Sequence, residues 1–249
     1  MKKLCEDVSN AVQDAIGNII GKLESGAILY MGADGTPTTK IDDVAEGAAI
    51  RVLKEDGRPL NIISEEIGSM TLGEGAELTI VLDPLDGTYN AIHGIPFYSF
   101  SMAICENDLS KVYYGYVRDL VTGDVYLAEK DRGAFLNGSE IHVSNKKRGY
   151  CVSANDQISL DKNCKIRLLG SIALELCYVA SHKLDAVIDN RNLLRVTDIS
   201  AGKLIVEEAG GIVTDLVDEP LKLPLDVKQK LNIIASNGRI HDELIYKLR

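Results

Sequence analysis

Residues 83–88 of this chain read Asp-Pro-Leu-Asp-Gly-Thr and directly follow an apolar segment, residues 78–82, that is typical of a buried strand. A strand that ends in a rigid acidic turn presents carboxylates and a backbone carbonyl to one point. Oxygen-only clusters of this kind suit hard cations such as Mg²⁺, which keep coordination positions for water and a substrate phosphate. Because unpaired carboxylates beside a core are costly, a cation is their natural partner.

The last two residues of the same run suit an anion. Gly87 lets the backbone approach a ligand closely, and the amides of Gly87 and Thr88 can face an anion at the start of a helix. Residues 83–88 therefore predict a combined metal and phosphate site.

Two other acidic elements are candidates to join this site. Glu65 and Glu66 follow the strand-like residues 61–63, and Asp198 begins a helical pattern. Each has a simple structural explanation when taken alone, because paired glutamates after a strand are usually solvated and an aspartate at a helix start is often a cap. Only convergence with residues 83–88 gives them a chemical role.

Hydrophobic periodicity indicates which elements must position these residues. Residues 4–23 and 41–53 have the spacing of amphipathic helices, whereas the glycine- and threonine-rich residues 26–39 indicate a loop. The remaining elements alternate in type, which predicts a layered α/β (α+β) fold with two intimate subdomains, residues 1–145 and 146–249. Strands are expected at residues 60–63, 78–82, 96–105, 112–118, 124–128, 150–153, 165–169, 186–189 and 231–235, and further helices at 171–181, 197–209 and 240–248.

Composition excludes several classes of function. The net charge of −10 argues against broad binding to nucleic acid or to an anionic membrane, both of which need a basic face. No apolar run is long and uninterrupted enough for a bilayer span, and no secretion signal is recognisable. The five widely spaced cysteines indicate reduced thiols, so a cytoplasmic protein is expected.

The motifs resemble both signatures of the inositol monophosphatase and fructose-1,6-bisphosphatase superfamily. They comprise Glu65-Glu66, residues 83–88, and Asp198 followed by Ala-Gly at 201–202 and Glu-Ala-Gly-Gly at 208–211. Residues 169–180 are similar to the archaeal branch, whose members act on both fructose 1,6-bisphosphate and inositol monophosphates. The resemblance implies an αβαβα sandwich of the sugar phosphatase type, and a homodimer.

The resemblance also implies ligands for two to three Mg²⁺ ions per subunit, with Mn²⁺ as a substitute. Glu65, Asp83 and the Leu85 carbonyl would hold the first ion, and Asp83 would bridge to a second held with Asp86 and Asp198. A third, weaker ion would rest on Glu65 and water. The substrate phosphate would lie beside Asp86, on the amides of residues 87–88.

The same resemblance assigns a catalytic role to Asp42 and Thr88, together with Glu65. An aspartate on the early helix hydrogen-bonds the threonine hydroxyl that orients the attacking water. Asp43 is an adjacent competitor, and spacing favours Asp42. The alternative is that Asp42 only complements the dipole of its helix.

Arginines raise the question of specificity. Inositol monophosphatases usually carry a glutamate seven residues before the equivalent of Asp198, where this chain has Arg191. A cation there suits a second phosphate, and Arg167 and Arg195 could join it because guanidinium groups fork onto phosphate oxygens. The alternative is that these arginines pair with surface acids. Two residues at a helix start are also expected to line the sugar pocket, Ser171 and Ala173.

These expectations combine into one function. The chain is expected to be a Mg²⁺-dependent phosphatase that removes the 1-phosphate of fructose 1,6-bisphosphate and also hydrolyses inositol 1-phosphate, by attack of a metal-activated water. Such an enzyme belongs to carbohydrate metabolism and gluconeogenesis. The rivals are a 3′-phosphoadenosine 5′-phosphate phosphatase, which shares the metal motifs, and a metal-dependent binding homologue without turnover.

Overall fold

The structure is a computed structural model that describes residues 1–106, 109–154 and 164–248. No helix in these ranges is both apolar enough and long enough to cross a membrane. The three C-terminal helices of the described ranges match their predicted bounds to within one residue, and the helix predicted at residues 41–53 continues to Asp56. The helix predicted at residues 4–23 was too long, because it ends at Ile16 and is capped by Gly17. The α-helices of the described ranges are α1 (Lys2–Ile16), α2 (Lys40–Asp56), α3 (Thr88–His93), α4 (Ile172–Ala180), α5 (Val196–Glu208) and α6 (His241–Leu248).

The strands in the described part of the chain form a hairpin and two sheets. The hairpin pairs β1 (Ile28–Met31) with β2 (Pro37–Thr39). The larger sheet has the order β10-β9-β8-β7-β6-β5-β3-β4. Its members are β3 (Leu60–Ser64), β4 (Gly68–Leu72), β5 (Leu78–Asp86), β6 (Ser99–Glu106), β7 (Val112–Asp119), β8 (Val125–Glu129), β9 (Ala134–Leu136) and β10 (Ser139–Ile141).

The smaller sheet has the order β12-β11-β13-β15-β14. Within it β11 runs parallel to both of its neighbours, whereas β15 is antiparallel to both of its own. Its members are β11 (Cys151–Ala154), β12 (Lys165–Arg167), β13 (Ala186–Leu194), β14 (Ile212–Thr214) and β15 (Leu231–Ser236).

Three hydrophobic clusters show how these elements stack. Helices α1 and α2 cover one face of the larger sheet, α4 and α5 fill the space between the two sheets, and α6 packs on the outer face of the smaller sheet. The layers therefore follow the order αβαβα, which confirms the predicted sandwich. Burial of apolar side chains between layers is the main stabilising term for such a fold.

Helix α5 packs directly against the larger sheet. Gly115 on β7 permits this contact, because a Cβ atom there would lie 2.8 Å from the carbonyl oxygen of Ala201. The approach brings the first turn of α5, which carries Asp198, towards the end of β5, which carries Asp83. The fold thus joins acidic residues from the two halves of the chain. The subdomain boundary near residue 145 stays a prediction.

Two further local expectations were wrong. Residues 26–39 contain the β1–β2 hairpin and are not an unstructured loop. The acidic run is not a turn after β5 but its last part, where the pairing with β6 shifts register between Asp83 and Asp86. Pro84 lies in this irregularity, where a missing N–H is tolerated because the regular hydrogen bonds are interrupted.

Candidate functional site

The acidic residues line a cleft of about 390 Å³ between the larger sheet and the start of α5. A larger groove of about 1290 Å³ lies along the opposite side of α5, but its lining is mostly aliphatic and lysine side chains. Only the smaller cleft contains the carboxylates and glycine turn that motif spacing indicated. Among the predicted site residues, it is lined by Asp42, Glu65, Asp83, Leu85, Asp86, Gly87, Thr88, Ser171, Arg191, Arg195 and Asp198.

Strand register explains why two of the acids meet. Strands β3 and β5 are parallel, and Ser64 is paired with Leu82. The next residues, Glu65 and Asp83, therefore emerge side by side at the carboxyl ends of the two strands. Asp198, on the first turn of α5, completes a group in which one ligand oxygen from each residue lies within 4.8 Å of the others.

This trio, Glu65, Asp83 and Asp198, fits a divalent cation. Asp83 is 2% exposed, and one of its oxygens accepts a hydrogen bond from Leu85 N at 3.0 Å. Its other oxygen, Oδ2, is buried and has no hydrogen-bond partner among the described residues. A buried acceptor without a donor is costly. Hard carboxylate oxygens at this separation suit Mg²⁺ or Mn²⁺, so the donor set fits the expected ion.

Burial and mutual repulsion raise the pKa of two of these carboxyl groups, those of Asp83 and Glu65. Burial is the main cause for Asp83, and the charges of Glu65 and Asp86 add to it. Burial also raises the pKa of Glu65, while the Arg195 guanidinium opposes that rise. Acids whose ionised form is disfavoured in this way mark a place where added positive charge is stabilising.

Asp86 is oriented by the other half of the chain. Its Oδ2 accepts hydrogen bonds from Ser171 Oγ at 2.6 Å and from Ala173 N at 2.7 Å. Burial raises the pKa of Asp86 to about 7 in spite of the Ser171 hydrogen bond. The two residues expected to line a sugar pocket therefore hold Asp86, and Ala173 itself does not line the cleft.

Asp42 and Thr88 are in contact. Thr88 Oγ1 donates to Asp42 Oδ1 at 2.7 Å and also lies 3.1 Å from the carbonyl oxygen of Leu85. The other oxygen of Asp42 accepts from both the amide and the hydroxyl of Thr39, which caps α2. The neighbouring Asp43 instead accepts from Tyr30. The catalytic role of the pair stays a prediction, but its geometry favours Asp42 over Asp43.

Gly87 occupies a position that no other residue fits well. Its φ angle is +98°, and a Cβ would lie 3.1 Å from the carbonyl oxygens of both Gly170 and Phe97. Both features disfavour a side chain. We expected Gly87 to let the backbone approach a ligand. In the structure, its missing side chain also makes room for the two backbone segments at Gly170 and Phe97.

The three arginines are placed differently from one another. Arg191 lines the cleft and forks onto Asp189, with Nη2 at 2.6 Å and Nε at 3.2 Å. Arg167 is exposed, does not line the cleft and donates to the carbonyl of Ile166. Arg195 also lines the cleft but is largely buried, and its guanidinium contacts three carboxylates.

The sequence interpretation missed Asp34, which lies in the turn between β1 and β2. Its side chain is fully buried, and it accepts from the amide and the hydroxyl of Thr36 and from Arg195. Lys230 lies 3.5 Å from the same carboxylate. A local signal for Asp34 was present, since an aspartate in a turn, here directly before Gly35, often accepts a hydrogen bond from the amide two residues further on. Its partner Arg195 is 161 residues away and has no local signal.

Comparison with known proteins gives consistent results. The profile described as "Inositol monophosphatase family" matches residues 3–249. A Methanothermobacter thermautotrophicus protein named fructose-1,6-bisphosphatase/inositol-1-monophosphatase is 42% identical, over 97% of this chain and 94% of its own length. An Archaeoglobus fulgidus protein of the same name is 41% identical, over 98% of this chain and 96% of its own length.

Another relative has a different name. A Methanococcus maripaludis bifunctional NADP phosphatase/NAD kinase is 39% identical over 98% of this chain, which corresponds to 48% of that longer protein. Among solved structures, an inositol monophosphatase–fructose 1,6-bisphosphatase superposes with a TM-score of 0.90 at 30% identity, covering 100% of this chain and 99% of the other. A Pyrococcus horikoshii protein with similarities to inositol-1 monophosphatase gives 0.87 at 34% identity, covering 99% and 96%.

Proposed function

The chain belongs to the inositol monophosphatase family, and we propose that it is a divalent-cation-dependent phosphatase that hydrolyses the 1-phosphate of fructose 1,6-bisphosphate and also inositol 1-phosphate. The observation that carries the proposal is the trio of Glu65, Asp83 and Asp198, with an unpartnered buried oxygen, in the same cleft as the Thr88–Asp42 pair. The names of two archaeal relatives at 41–42% identity support the choice of substrates.

The residues of the cleft divide the chemistry between them. Glu65, Asp83 and Asp198 would hold the cations, with Asp86 and the Leu85 carbonyl as further ligands. Bound divalent cations polarise a phosphoryl oxygen and lower the pKa of water, so hydrolysis needs no covalent intermediate. The phosphate is assigned to the amides at residues 87–88.

Thr88 is suited to orient the nucleophile. Because its hydroxyl hydrogen points to Asp42, an oxygen lone pair of Thr88 can accept a hydrogen bond from an attacking water. Burial raises the pKa of Asp42, whereas hydrogen bonds from Thr39 and Thr88 lower it, so this carboxylate is a better proton acceptor than an exposed aspartate. Asp42 and Thr88 would thus receive and hold the proton that the water loses.

Arg191 is the residue proposed to select a bisphosphate. It lines the cleft and is held by Asp189, whose side chain is fully buried, while the Arg191 side chain remains 43% exposed. Asp189 therefore fixes the guanidinium and leaves part of it accessible to a second phosphate. The sequence raised two alternatives for Arg191, pairing with an acid and binding a phosphate. In this arrangement the two are compatible.

A second candidate substrate is the 2′-phosphate of NADP. The relative named as an NADP phosphatase matches nearly the whole of this chain. In addition, Tyr89 lines the cleft, is 68% exposed, and stacks on His93 with ring centroids 4.0 Å apart. An exposed aromatic face next to a phosphate site can stack on a nucleotide base.

We also propose the finer properties that follow from the family resemblance: Mg²⁺ as the ion, two to three ions per subunit, a cytoplasmic homodimer, and a role in gluconeogenesis. The five cysteines are free thiols, which supports a reducing compartment. Light scattering after gel filtration tests the dimer, and titration with Mn²⁺ counts the ions.

The proposal is tested by phosphate release from fructose 1,6-bisphosphate, inositol 1-phosphate, NADP and 3′-phosphoadenosine 5′-phosphate, with Mg²⁺ and with EDTA. Metal-dependent release from the first two supports the proposal. Calorimetric binding of these ligands without release would instead indicate a non-catalytic homologue. For the nucleotides, Tyr89→Ala is compared with Tyr246→Ala, which changes another exposed tyrosine, on α6. Only the first change should reduce NADP turnover.

A further inference from the structure

The guanidinium of Arg195 lies among acidic side chains. It contacts Glu65 through Nη1 and Asp198 through Nε, the latter at 3.1 Å. A third carboxylate, that of Asp34, lies 2.8 Å from Nη1. Glu65 and Asp198 are two of the three acids in the candidate metal group, whereas Asp34 is outside it. The arginine therefore uses oxygens that a cation in the cleft would also need.

We infer that Arg195 is an internal counter-cation that competes with the divalent cation for Glu65 and Asp198, and that Asp34 is the positioning residue that draws Arg195 away from them. This inference rests on the proposed metal function. It assigns Arg195 to control of metal affinity and not to the sugar pocket in which the sequence interpretation placed it.

Charge explains the competition. A guanidinium donates hydrogen bonds to carboxylate lone pairs, which are the same lone pairs that coordinate a metal. While Arg195 contacts Glu65 and Asp198, it reduces the repulsion between acids that are buried together. A divalent cation must break or weaken these contacts and then lies close to a positive charge. Arg195 should therefore stabilise the metal-free cleft and weaken metal binding.

The contacts of Asp34 hold its carboxylate in a fixed position beside Arg195. Its carboxylate is held by Thr36 N at 2.8 Å and by Thr36 Oγ1 at 2.9 Å. The Asp34 side chain is fully buried, and Lys230 lies 3.5 Å from it. Because Asp34 does not belong to the metal group, it can retain the guanidinium when Glu65 and Asp198 coordinate a cation. Removing its charge should leave Arg195 with the metal ligands as its acidic partners.

Substitutions of Arg195 and of Asp34 should therefore change the metal affinity in opposite directions. Titration calorimetry with Mn²⁺ should show that Arg195→Gln binds the ion about tenfold or more tightly, the effect of removing one partly screened charge near a divalent cation. Asp34→Asn should bind it more weakly than the wild type. Lys203→Gln is the matched control, because this lysine is also on α5 but pairs with Glu207 at 2.7 Å. The control should keep wild-type affinity.

Thermal unfolding supplies a second readout. In EDTA, Arg195→Gln should have a lower Tm than the wild type, whereas saturating Mn²⁺ should raise its Tm by more than it raises that of the wild type. Arg195→Lys keeps the charge but donates fewer hydrogen bonds. Its Tm in EDTA, and the rise of its Tm with Mn²⁺, should lie between those of the wild type and of Arg195→Gln. It also provides the comparison if the glutamine variant does not fold. A purely structural arginine would lower the Tm in both conditions and would not increase affinity.

Unchanged or weaker Mn²⁺ binding by both Arg195 variants, with normal binding by the wild type, would overturn this inference and leave the proposed function intact. A wild-type protein that neither releases heat with Mn²⁺ nor gains thermal stability from it would overturn the metal-dependent function, and this inference with it.

Discussion

Thr88 Oγ1 lies 2.7 Å from Asp42 Oδ1, although 46 residues separate the two in the chain. Thr88 begins α3 at the end of the bulged strand β5, and Asp42 is in the first turn of α2. Thr39 binds the second oxygen of Asp42 and thereby fixes the plane of the carboxylate. The hydroxyl of Thr88 is consequently held in one orientation beside the acidic trio.

This geometry predicts that Thr88→Ala and Asp42→Asn each reduce kcat by about 10²-fold or more, the usual effect of losing a positioned proton-transfer group. The KM should change little, because neither variant removes a metal ligand. Steady-state phosphate release from fructose 1,6-bisphosphate measures both parameters.

Asp43→Asn is the matched control for this pair. Asp43 is adjacent in sequence but accepts a hydrogen bond from Tyr30, outside the cleft lining. Its variant should keep kcat within about twofold of the wild type, as expected for a surface change. Equal losses in the Asp42 and Asp43 variants would show that Asp42 acts only through helix stability.

Asp83→Asn should abolish the response of the protein to metal without reducing its intrinsic stability. The amide has the same shape as the carboxylate but lacks the buried charge, so the metal-free Tm should equal or exceed that of the wild type. In the wild type, an ion at about 100 times its Kd should add about 2.7 kcal/mol and raise the Tm by ~5–10 °C. Differential scanning fluorimetry with Mn²⁺ and with EDTA measures this shift.

The control for Asp83 is another buried aspartate. Asp119 is 5% exposed and accepts from the amides of Val121 and Thr122 in a turn away from the cleft. Asp119→Asn should lower the Tm but keep the metal-induced rise. A persistent rise in Asp83→Asn would remove this residue from the proposed ligand set.

Arg191→Gln should affect the two substrates differently. A charge-assisted hydrogen bond to the second phosphate contributes about 1.5–3 kcal/mol, so the KM for fructose 1,6-bisphosphate should rise by roughly 10- to 100-fold. Inositol 1-phosphate has no second phosphate, and its KM should change by less than about threefold. Arg167→Gln, at an exposed arginine outside the cleft lining, should alter neither. Parallel losses for both substrates would refute the specificity argument.

His241 should make stability depend on pH, independently of the metal site. It is buried at the start of α6, with Ser236 Oγ at 2.9 Å from Nδ1 and Thr214 Oγ1 at 3.0 Å from Nε2. Burial lowers the pKa of His241, although the nearby charge of Asp218 opposes this shift. Near and below pH ~6.5 the unfolded chain therefore binds more protons, so the free energy of unfolding falls as the pH decreases from about 6.5.

Urea unfolding of the wild type and of His241→Asn between pH 5 and 7 measures this effect. His241→Asn should be less stable than the wild type at pH 7. The difference between their free energies of unfolding should become smaller as the pH falls, because the wild type loses stability. His142→Gln is the control, because that histidine is 69% exposed, and it should reproduce the wild-type profile. A constant difference between wild type and His241→Asn across the range would contradict the assignment.

Much of the site is predictable because its signals are local. Residues 83–88 combine two aspartates with a glycine and a threonine directly after a strand, a combination that indicates a metal and phosphate site. Parallel pairing of two predicted strands brings Glu65 beside Asp83. Helical periodicity located α2, α4 and α5 to within a residue or two at most ends. The β1–β2 hairpin was not predictable in this way, because its strands are short and their outer residues, including Ile28 and Met31, are exposed.

The sequence by itself determined the layered α/β character and the acidic and hydroxyl residues available for catalysis, because these depend on local composition and on the period of the apolar pattern. Its motifs indicated the family, and the αβαβα order of the layers was expected only from that resemblance. Only the tertiary structure decided which partner each charged group takes. Arg195 lies with Asp34 and Glu65, while Arg191 lies with Asp189. Long flexible side chains can reach several partners, and packing of α5 against the larger sheet selects among them, since buried charges need compensation within a few ångströms.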